Sequence, residues 1–259
     1  AWVWHPQVAA DESVVLLFTN ELSLQEPAST RFHISADQRY ELFIDGQRIG
    51  MGPDRAELNH WAFASYELEL EAGSHLFEAR VWWIGDRRPW AQVTERGAFV
   101  FAAEGLKQQL QTGVGPWRVQ RERGWRFESS EDLSFHVIGP SECVDGNERR
   151  GEPEPPVEPV VVQQPLRREA DEHHTGQVTN RWQLYPSPLP DMQYQPRYGG
   201  RVRAVIENDG EAPVDAAACE SSAMSDWQSM ISGEGTVTVP AHQQVHVIVD
   251  LEGYYCGFT

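Results

Sequence analysis

One β-hairpin in the stretch from Ser35 to Pro53 constrains the fold more than any other part of the sequence. The apolar run Leu42-Phe43-Ile44 is followed by Asp45-Gly46 and then by Gln47-Arg48-Ile49. Asp-Gly accepts positive φ at both central turn positions, as a two-residue hairpin requires. Pro53 ends the return strand, because proline cannot donate a hydrogen bond to a sheet.

Short strand-like segments recur on both sides of this hairpin, and helical periodicity is modest and confined to Leu106–Leu110. The turn Glu71-Ala72-Gly73-Ser74 predicts a second hairpin, and Asp54 to Ala64 predicts a long loop. In His75 to Ile84, Phe77 and Val81 are expected on one face and Trp82 on the other. The remaining predicted strands of the first half are Trp2–Trp4, Val14–Phe18, Ser29–Ile34, Ser65–Leu70, Phe99–Phe101, Trp117–Val119 and Trp125–Phe127.

Composition changes at residue 151, where prolines cluster and favour extended backbone. We therefore predict one domain over residues 1–150, a Pro-rich irregular connector over 151–196 and a second β domain over 197–259. Predicted strands in the last segment are Arg201–Glu207, Thr236–Val239 and Val245–Leu251, with a turn at Asn208-Asp209-Gly210. The apolar end at Tyr254 to Thr259 predicts that this second domain is incomplete at its C-terminus.

The charge balance argues against several classes of partner. The chain of 259 residues has 39 acidic and 21 basic residues, a formal charge of -18, which repels nucleic acid and anionic membrane surfaces. A neutral partner fits better. No apolar run has the ~20 residues of a membrane-spanning helix, and no secretory leader is recognisable at the first residues. Cys143, Cys219 and Cys256 form no CxxC pair, so neither a disulfide framework nor a zinc site is indicated.

An ordered series of motifs runs through the sequence, beginning with Tyr40, Asp45-Gly46 and the block from Gly52 to Arg55. The later motifs are Pro89–Thr94 with Gly97-Ala98-Phe99, Trp117-Arg118-Val119, Glu142–Gly146, Trp182-Gln183-Leu184, Pro188–Met192, and Val249–Leu251 with Gly253 and Gly257-Phe258. This series resembles the N-terminal β-sandwich region of bacterial α-L-rhamnosidases, in which a Gly-Pro-x-Arg pattern recurs and the motifs follow in the same order. Trp90, Val93 and Thr94 depart from the Met, Met and Ser of the family pattern.

The resemblance implies an all-β fold: two antiparallel β-sandwich domains, jelly-roll or galactose-binding-like, joined by the Pro-rich segment. It implies a bacterial glycoside hydrolase that removes terminal α-L-rhamnose with inversion, acting in the cytoplasm or in the periplasm or outside the cell. The family's catalytic carboxylates lie in a helical barrel after these β domains, and this sequence has neither the length nor the periodicity for one. We therefore predict no catalytic residue here, and as partners the C-terminal catalytic domain of the same polypeptide and a rhamnose-containing glycoside, without nucleic acid or membrane.

Aromatic side chains are the main sequence evidence for sugar binding. The apolar face of a sugar ring packs on an aromatic plane while its hydroxyls bond polar side chains. The interior competes for these residues, because most of ten tryptophans in a β-rich chain must be buried. The predicted carbohydrate-binding set is Arg55, Asn59, Trp61, Trp82, Trp90 and Gln92. Trp83 is a further candidate for sugar stacking that this set leaves out.

Metal binding is not predicted. The run Asp171-Glu172-His173-His174 has ligand chemistry, but adjacent side chains rarely converge on one ion. Asp54, Glu57 and Asn59 could supply oxygen ligands to Ca²⁺, although an ordinary loop has the same composition.

Two alternatives to the accessory role remain open. One is a stand-alone carbohydrate-binding or cell-surface adhesion module, and the other is a complete small hydrolase. The second has little support, because the sequence has no Gly-x-Ser-x-Gly nucleophile motif.

Overall fold

The computed structural model describes residues 1–9, 11–89, 91–128, 139–163, 182–190, 198–207, 222–251 and 253. The chain divides into two compact units, Ala1–Met192 and Gln193–Thr259. The predicted all-β fold is confirmed, because antiparallel sheets account for most of the regular structure.

A six-stranded sheet forms one layer of the first unit. Its strands pair in the order β12-β1-β8-β3-β6-β13, antiparallel throughout except for the parallel pair of β13 and β6. Both β12 and β13 lie within the Pro-rich segment. The bounds are β1 Trp2–Trp4, β3 Ala28–Asp37, β6 Trp61–Leu70, β8 Ala98–Ala103, β12 Val160–Gln163 and β13 Leu184–Pro186.

A five-stranded antiparallel sheet forms the other layer, in the order β5-β4-β7-β2-β9. A separate two-stranded sheet pairs β10 with β11. The bounds are β2 Val14–Leu24, β4 Arg39–Ile44, β5 Gln47–Gly52, β7 Gly73–Trp83, β9 Arg118–Arg121, β10 Trp125–Glu128 and β11 Ser141–Val144; the short helices are a 3-10 turn Gly85–Arg87, α1 Lys107–Leu110 and α2 Gly146–Arg149.

The main core lies between the two sheets and is rich in aromatic rings. Alternation along each strand sends every second residue into it, as with Phe32 and Ile34 on β3 and with Phe77 and Val81 on β7. Phe32 and Phe101 stack at a centroid distance of 5.1 Å within this core. The predicted faces of β7 are therefore confirmed, and Trp82 points to the opposite face.

The predicted hairpin at Asp45-Gly46 is confirmed by strands β4 and β5. Asp45 has φ 51° and Gly46 has φ 76°, so both turn residues adopt the positive φ that the dipeptide permits. The turn also contacts β7, because the amide of Leu76 donates to Asp45 Oδ1 over 2.8 Å. The hairpin is thereby held to the central strand of its sheet.

The second predicted hairpin, at Glu71 to Ser74, is wrong. Strands β6 and β7 are consecutive, yet β6 pairs with β3 and β13 while β7 pairs with β2 and β4. The connection passes from one sheet to the other, so the apolar faces of both strands bury in the same core. The predicted loop is also shorter than expected, because β6 begins at Trp61.

The second unit contains a helix that the sequence interpretation missed. Its described residues form the antiparallel strands β14 Arg201–Glu207 and β15 Val245–Asp250, with α3 Ser222–Ile231 between them along the chain. Thr236–Val239, predicted as a strand, has no regular structure. The helix contacts β14 through Gln228, whose side chain accepts the Val202 amide and donates to the Gly200 carbonyl. Within the described ranges, no helix is long and apolar enough to cross a membrane.

Candidate carbohydrate-binding surface

A solvent-exposed pair of rings lies where the loop Asp54–His60 meets β13. Strand β13 runs parallel to the start of β6, with Leu184 opposite Trp61. This pairing brings Tyr185 beside His60, and the two rings stack at 4.7 Å with an interplanar angle of 28°. Tyr185 is 40% exposed. We call this surface the ledge, and it consists of Glu57, Asn59, His60 and Tyr185.

Hydrogen bonds hold the shape of the ledge. Glu57 accepts from His60 Nδ1 over 2.6 Å and, through its other oxygen, from the Asn59 amide over 3.4 Å. The hydroxyl of Ser187 donates to the carboxylate of Asp54, which fastens the end of β13 to the start of the loop. An aromatic plane beside carboxylate and amide groups has the chemistry to hold a neutral sugar.

Trp61 supports the ledge from below instead of lining it. Its side chain is buried, and its indole N–H donates to Ser35 Oγ over 3.1 Å. Ser35 Oγ donates in turn to the Ala62 carbonyl over 2.7 Å. Both faces of the Trp61 ring are covered by protein, so a sugar could stack there only after local rearrangement.

Asp37 is the centre of a buried polar cluster on the same face of β3. Its carboxylate accepts from the Thr94 hydroxyl, from the Glu95 amide over 2.8 Å, from the Arg96 amide over 3.4 Å and from the Trp182 indole over 3.1 Å. Burial raises the pKa of Asp37 to about 7, against the opposing effect of these hydrogen bonds. The carboxyl group fastens the 94–96 loop to the sheet.

Trp182 covers this cluster. Its ring stacks on Trp2 at a centroid distance of 4.6 Å, and both residues pack with Trp61 in a small apolar cluster separate from the main core. Alternation explains the separation, since Ala98 and Val100 of β8 belong to this cluster while Phe99 belongs to the main core. Trp182 therefore covers part of the outer face of the six-stranded sheet.

The predicted carbohydrate-binding residues fall into three places. Asn59 is part of the ledge, Arg55 is an exposed residue of the same loop, and Trp61 is buried at the start of β6. Gln92 is half-buried in the 91–96 loop. Its backbone amide donates to the Pro89 carbonyl, and its backbone carbonyl accepts from the Arg88 guanidinium. Trp90 lies outside the described residues. Their role in binding stays a prediction.

Trp82 lies on a different sheet from the others. It is buried on the outer face of the five-stranded sheet, under the guanidinium of Arg39 at 4.5 Å and edge-on to Trp125 at 5.5 Å. Beside it, Glu41 and Glu122 both pair with Arg80 at 3.2 and 2.8 Å. Trp82 and Trp61 therefore cannot belong to one sugar site. Trp83, a further candidate for sugar stacking, is buried in the main core.

Two of the three residues considered as calcium ligands, Asp54 and Glu57, have protein partners for their carboxylates. Asp54 accepts from Ser187, and Glu57 accepts from Asn59 and pairs with His60. Over the described residues, no group of three or more His, Cys, Asp or Glu side chains is placed to hold a metal ion. The run Asp171–His174 lies outside those residues, as do Cys219 and Cys256, whereas Cys143 is a half-buried free thiol.

Comparisons with known proteins agree with this architecture at the level of fold. No protein-family model matches the chain, and no curated protein matches its sequence. Among solved structures, a GH78 family rhamnosidase of Bacillus sp. GL1 superposes with a TM-score of 0.58 at 17% identity over 79% of this chain. The chain thus shares a fold with part of a rhamnosidase. It covers 21% of the length of that enzyme.

Two further rhamnosidase structures match less extensively. An α-L-rhamnosidase from Aspergillus terreus matches at 15% identity with a TM-score of 0.39, over 57% of this chain and 21% of that one. One from Dictyoglumus thermophilum matches at 14% identity with a TM-score of 0.34, over 48% and 16%.

Sequence reasoning missed His60 and Tyr185 on the ledge, and it missed Asp37 and Trp182 in the buried polar cluster at the end of β3. Tyr185 lies in a Pro-rich stretch that predicts no sheet, and its parallel pairing with β6 has no local sequence signal. Asp37 lies beyond the predicted strand Ser29–Ile34, because β3 continues to Asp37. Its burial therefore had no signal in the sequence.

Proposed function

We propose that this chain is an accessory, non-catalytic β-sandwich portion of an α-L-rhamnosidase-like glycoside hydrolase, which supports the catalytic domain of the same polypeptide. The observation that carries this proposal is the fold shared with part of the Bacillus sp. GL1 rhamnosidase, of which the chain covers 21%. The ordered family motifs from Tyr40 to Gly253 point in the same direction. The parent enzyme would remove terminal α-L-rhamnose from glycosides.

The carboxyl chemistry supports a non-catalytic role. Inverting hydrolysis needs a carboxylic acid that reaches the leaving oxygen and a carboxylate that activates water. Asp37, with its pKa raised to about 7, has the proton affinity of a general acid. It is 0% exposed and its oxygens accept four hydrogen bonds behind Trp182, so no glycosidic oxygen can reach it.

We further propose that the ledge binds the carbohydrate. The sugar ring would pack on Tyr185, whose other face is held by His60, while Arg55, Asn59 and Glu57 bond its hydroxyls. The rings are exposed, and Glu57 holds Asn59 and His60 through its hydrogen bonds, so these groups need little ordering on binding.

A turnover assay tests the non-catalytic role directly. The purified chain, incubated with an aryl α-L-rhamnoside, is expected to release the phenol no faster than the substrate does without protein. Cleavage at an enzyme-like rate would overturn the proposal. The coding sequence after Thr259 is the second test, because it should encode a helix-rich domain with paired acidic residues; a different kind of domain there would contradict the accessory role.

Calorimetric titration with methyl α-L-rhamnoside tests the ledge. Tyr185→Ala is expected to weaken saturable binding by about fivefold, since stacking on an aromatic ring is worth about 1 kcal/mol. Tyr198→Ala, which removes a 70% exposed tyrosine from the second unit, is the matched control and should leave binding unchanged. Binding lost on Trp90→Ala but retained in Tyr185→Ala would place the site at the predicted tryptophan instead.

A further inference from the structure

A second open site lies on the other sheet, at the side of the β10–β11 pair. Phe127 and Trp125 of β10 pack with Val15 and Trp82, which places β10 over the outer face of the five-stranded sheet. Arg39 of β4 pairs with Glu142 of β11 at 2.5 Å and holds the second strand to the same sheet. Between β10 and the segment before β2 is a cleft of about 580 Å³, lined by Asp11, Glu12, Ser13, Arg87, Trp125, Arg126, Phe127 and Glu128.

The Trp125 ring in this cleft is fixed before any ligand arrives. Its indole N–H donates to Glu122 Oε2 over 3.1 Å. The ring is nearly perpendicular to that of Trp82, with 5.5 Å between the two ring centroids. The guanidinium of Arg149 lies 5.6 Å from the ring centroid. The residue is nevertheless only half-buried. A half-exposed ring held by three neighbours is a preorganised stacking surface, because its rotamer freedom is already lost.

The polar lining identifies the class of ligand. Three carboxylates (Asp11, Glu12 and Glu128) and two guanidiniums (Arg87 and Arg126) surround the ring, together with a serine. Some already have partners, since Arg87 donates to the Phe127 carbonyl and Glu12 pairs with Arg121 at 2.7 Å. Mixed charge around an aromatic face suits many hydroxyls, whereas the excess of carboxylates disfavours an anion.

We propose that this cleft binds a neutral oligosaccharide, with Trp125 as the stacking ring and Asp11, Arg126 and Glu128 as hydrogen-bonding groups. The cleft volume is within the range of small-molecule sites, which is about 300–1,000 Å³. The proposal rests on the proposed function for the source of its ligand, a rhamnose-bearing glycan. It is independent of the ledge, because the cleft and the ledge lie on different sheets of the sandwich.

NMR of the full chain, labelled with ¹⁵N at its indoles, tests the cleft with rutinose, a neutral rhamnosyl-glucose disaccharide. The Trp125 indole signal, assigned by its loss in Trp125→Phe, is expected to shift and saturate. Asp11→Ala removes an exposed lining group and leaves the packing of Phe127 and Trp125 on Val15 and Trp82 unchanged. It should weaken the affinity of the cleft for rutinose at least threefold. Trp125→Ala should weaken it about tenfold, whereas Trp125→Phe, which keeps an aromatic face, should stay within about threefold of the parent.

The outcomes separate this proposal from the proposed function. Saturable binding that Asp11→Ala weakens and Tyr185→Ala leaves unchanged supports the cleft. Binding that Tyr185→Ala abolishes and the cleft variants leave unchanged overturns the cleft and keeps the ledge. A flat titration of the Trp125 signal overturns the cleft as well, while the accessory role is still judged by the turnover assay and the downstream coding sequence. Tighter binding of a glucuronic acid disaccharide than of rutinose would contradict the neutral ligand class.

Discussion

Trp182 donates its indole N–H to Asp37 Oδ2 over 3.1 Å, although the two residues are 145 positions apart in the chain. This bond connects the Pro-rich part of the chain to the last residue of β3. The same carboxylate accepts from Thr94, Glu95 and Arg96. One buried acid thus positions two separate segments against the outer face of the six-stranded sheet.

Asp37→Asn is expected to flatten the pH dependence of stability. Burial raises the pKa of Asp37 to about 7 in the folded chain, above its ordinary value of 3.8. The folded state therefore binds a proton more tightly than the unfolded state, and stability is lost as pH rises through the folded pKa. Between about pH 5 and about pH 8 this loss amounts to about 2–3 kcal/mol, and Asp37→Asn removes it.

Urea unfolding followed by tryptophan fluorescence at the two pH values provides the measurement. The asparagine costs stability of its own, because its amide places a donor among four donors, so the comparison concerns the change with pH and not the absolute value. An equal pH dependence in both proteins would show that Asp37 is ionised throughout this range.

Trp182→Phe should reveal how strongly the indole and the carboxylate are coupled. Phenylalanine keeps a ring to stack on Trp2 but removes the donor to Asp37. Loss of a hydrogen bond to a charged group costs about 1.5–3 kcal/mol. In the Asp37→Asn background the same change should cost less, and a double-mutant cycle from urea unfolding measures the difference. Tyr185→Phe, an exposed site, is the control and should stay within about 0.5 kcal/mol of the parent.

How much of this fold could be predicted depended on whether the signal was local. The Asp45-Gly46 hairpin was predictable because its turn geometry is written in two adjacent residues. The turn at Glu71 to Ser74 gave an equally local signal, but local chemistry does not say whether the next strand pairs with the last or crosses to the other sheet. That choice depends on burial in the shared core.

The candidate site was predictable only in part, for a related reason. Arg55 and Asn59 could be proposed because loop polarity is visible in the sequence, whereas the ring beside His60 comes from Tyr185, which is distant in the chain. The tryptophans were included for their ring chemistry although the core competes for them, and Trp61 and Trp82 are buried. Ring chemistry is the same in a core and at a surface, so burial decides the role.

His75 is expected to titrate above its ordinary pKa. Its ring donates to the Glu71 carbonyl over 2.8 Å and contacts Asp45 Oδ2 at 2.7 Å, and both interactions raise the pKa of His75. This stabilisation is fully present below the unfolded pKa of about 6.5 and is lost as pH rises through the folded pKa. An NMR titration of the imidazole should show a lower midpoint in Asp45→Asn. The Glu71 carbonyl remains in that variant, so a midpoint back at the ordinary value would contradict its leading contribution.

Gly97→Ala is expected to destabilise the first unit, because Trp4 occupies the space of the added methyl group. A Cβ at position 97 would lie 2.4 Å from Trp4 Cζ2, and Trp4 is buried in the main core with Phe18 at 6.1 Å. Overpacking of this kind costs about 1–3 kcal/mol, which lowers the melting temperature by about 2–10 °C.

Gly146→Ala is the matched control: no atom lies within 4 Å of its Cβ position, and helix α2 begins there after the cap by Asp145. That variant should melt at or slightly above the parent temperature, because alanine reduces the freedom of the unfolded chain. Differential scanning calorimetry of both variants decides the matter, and equal melting temperatures would show that Trp4 can move aside without cost.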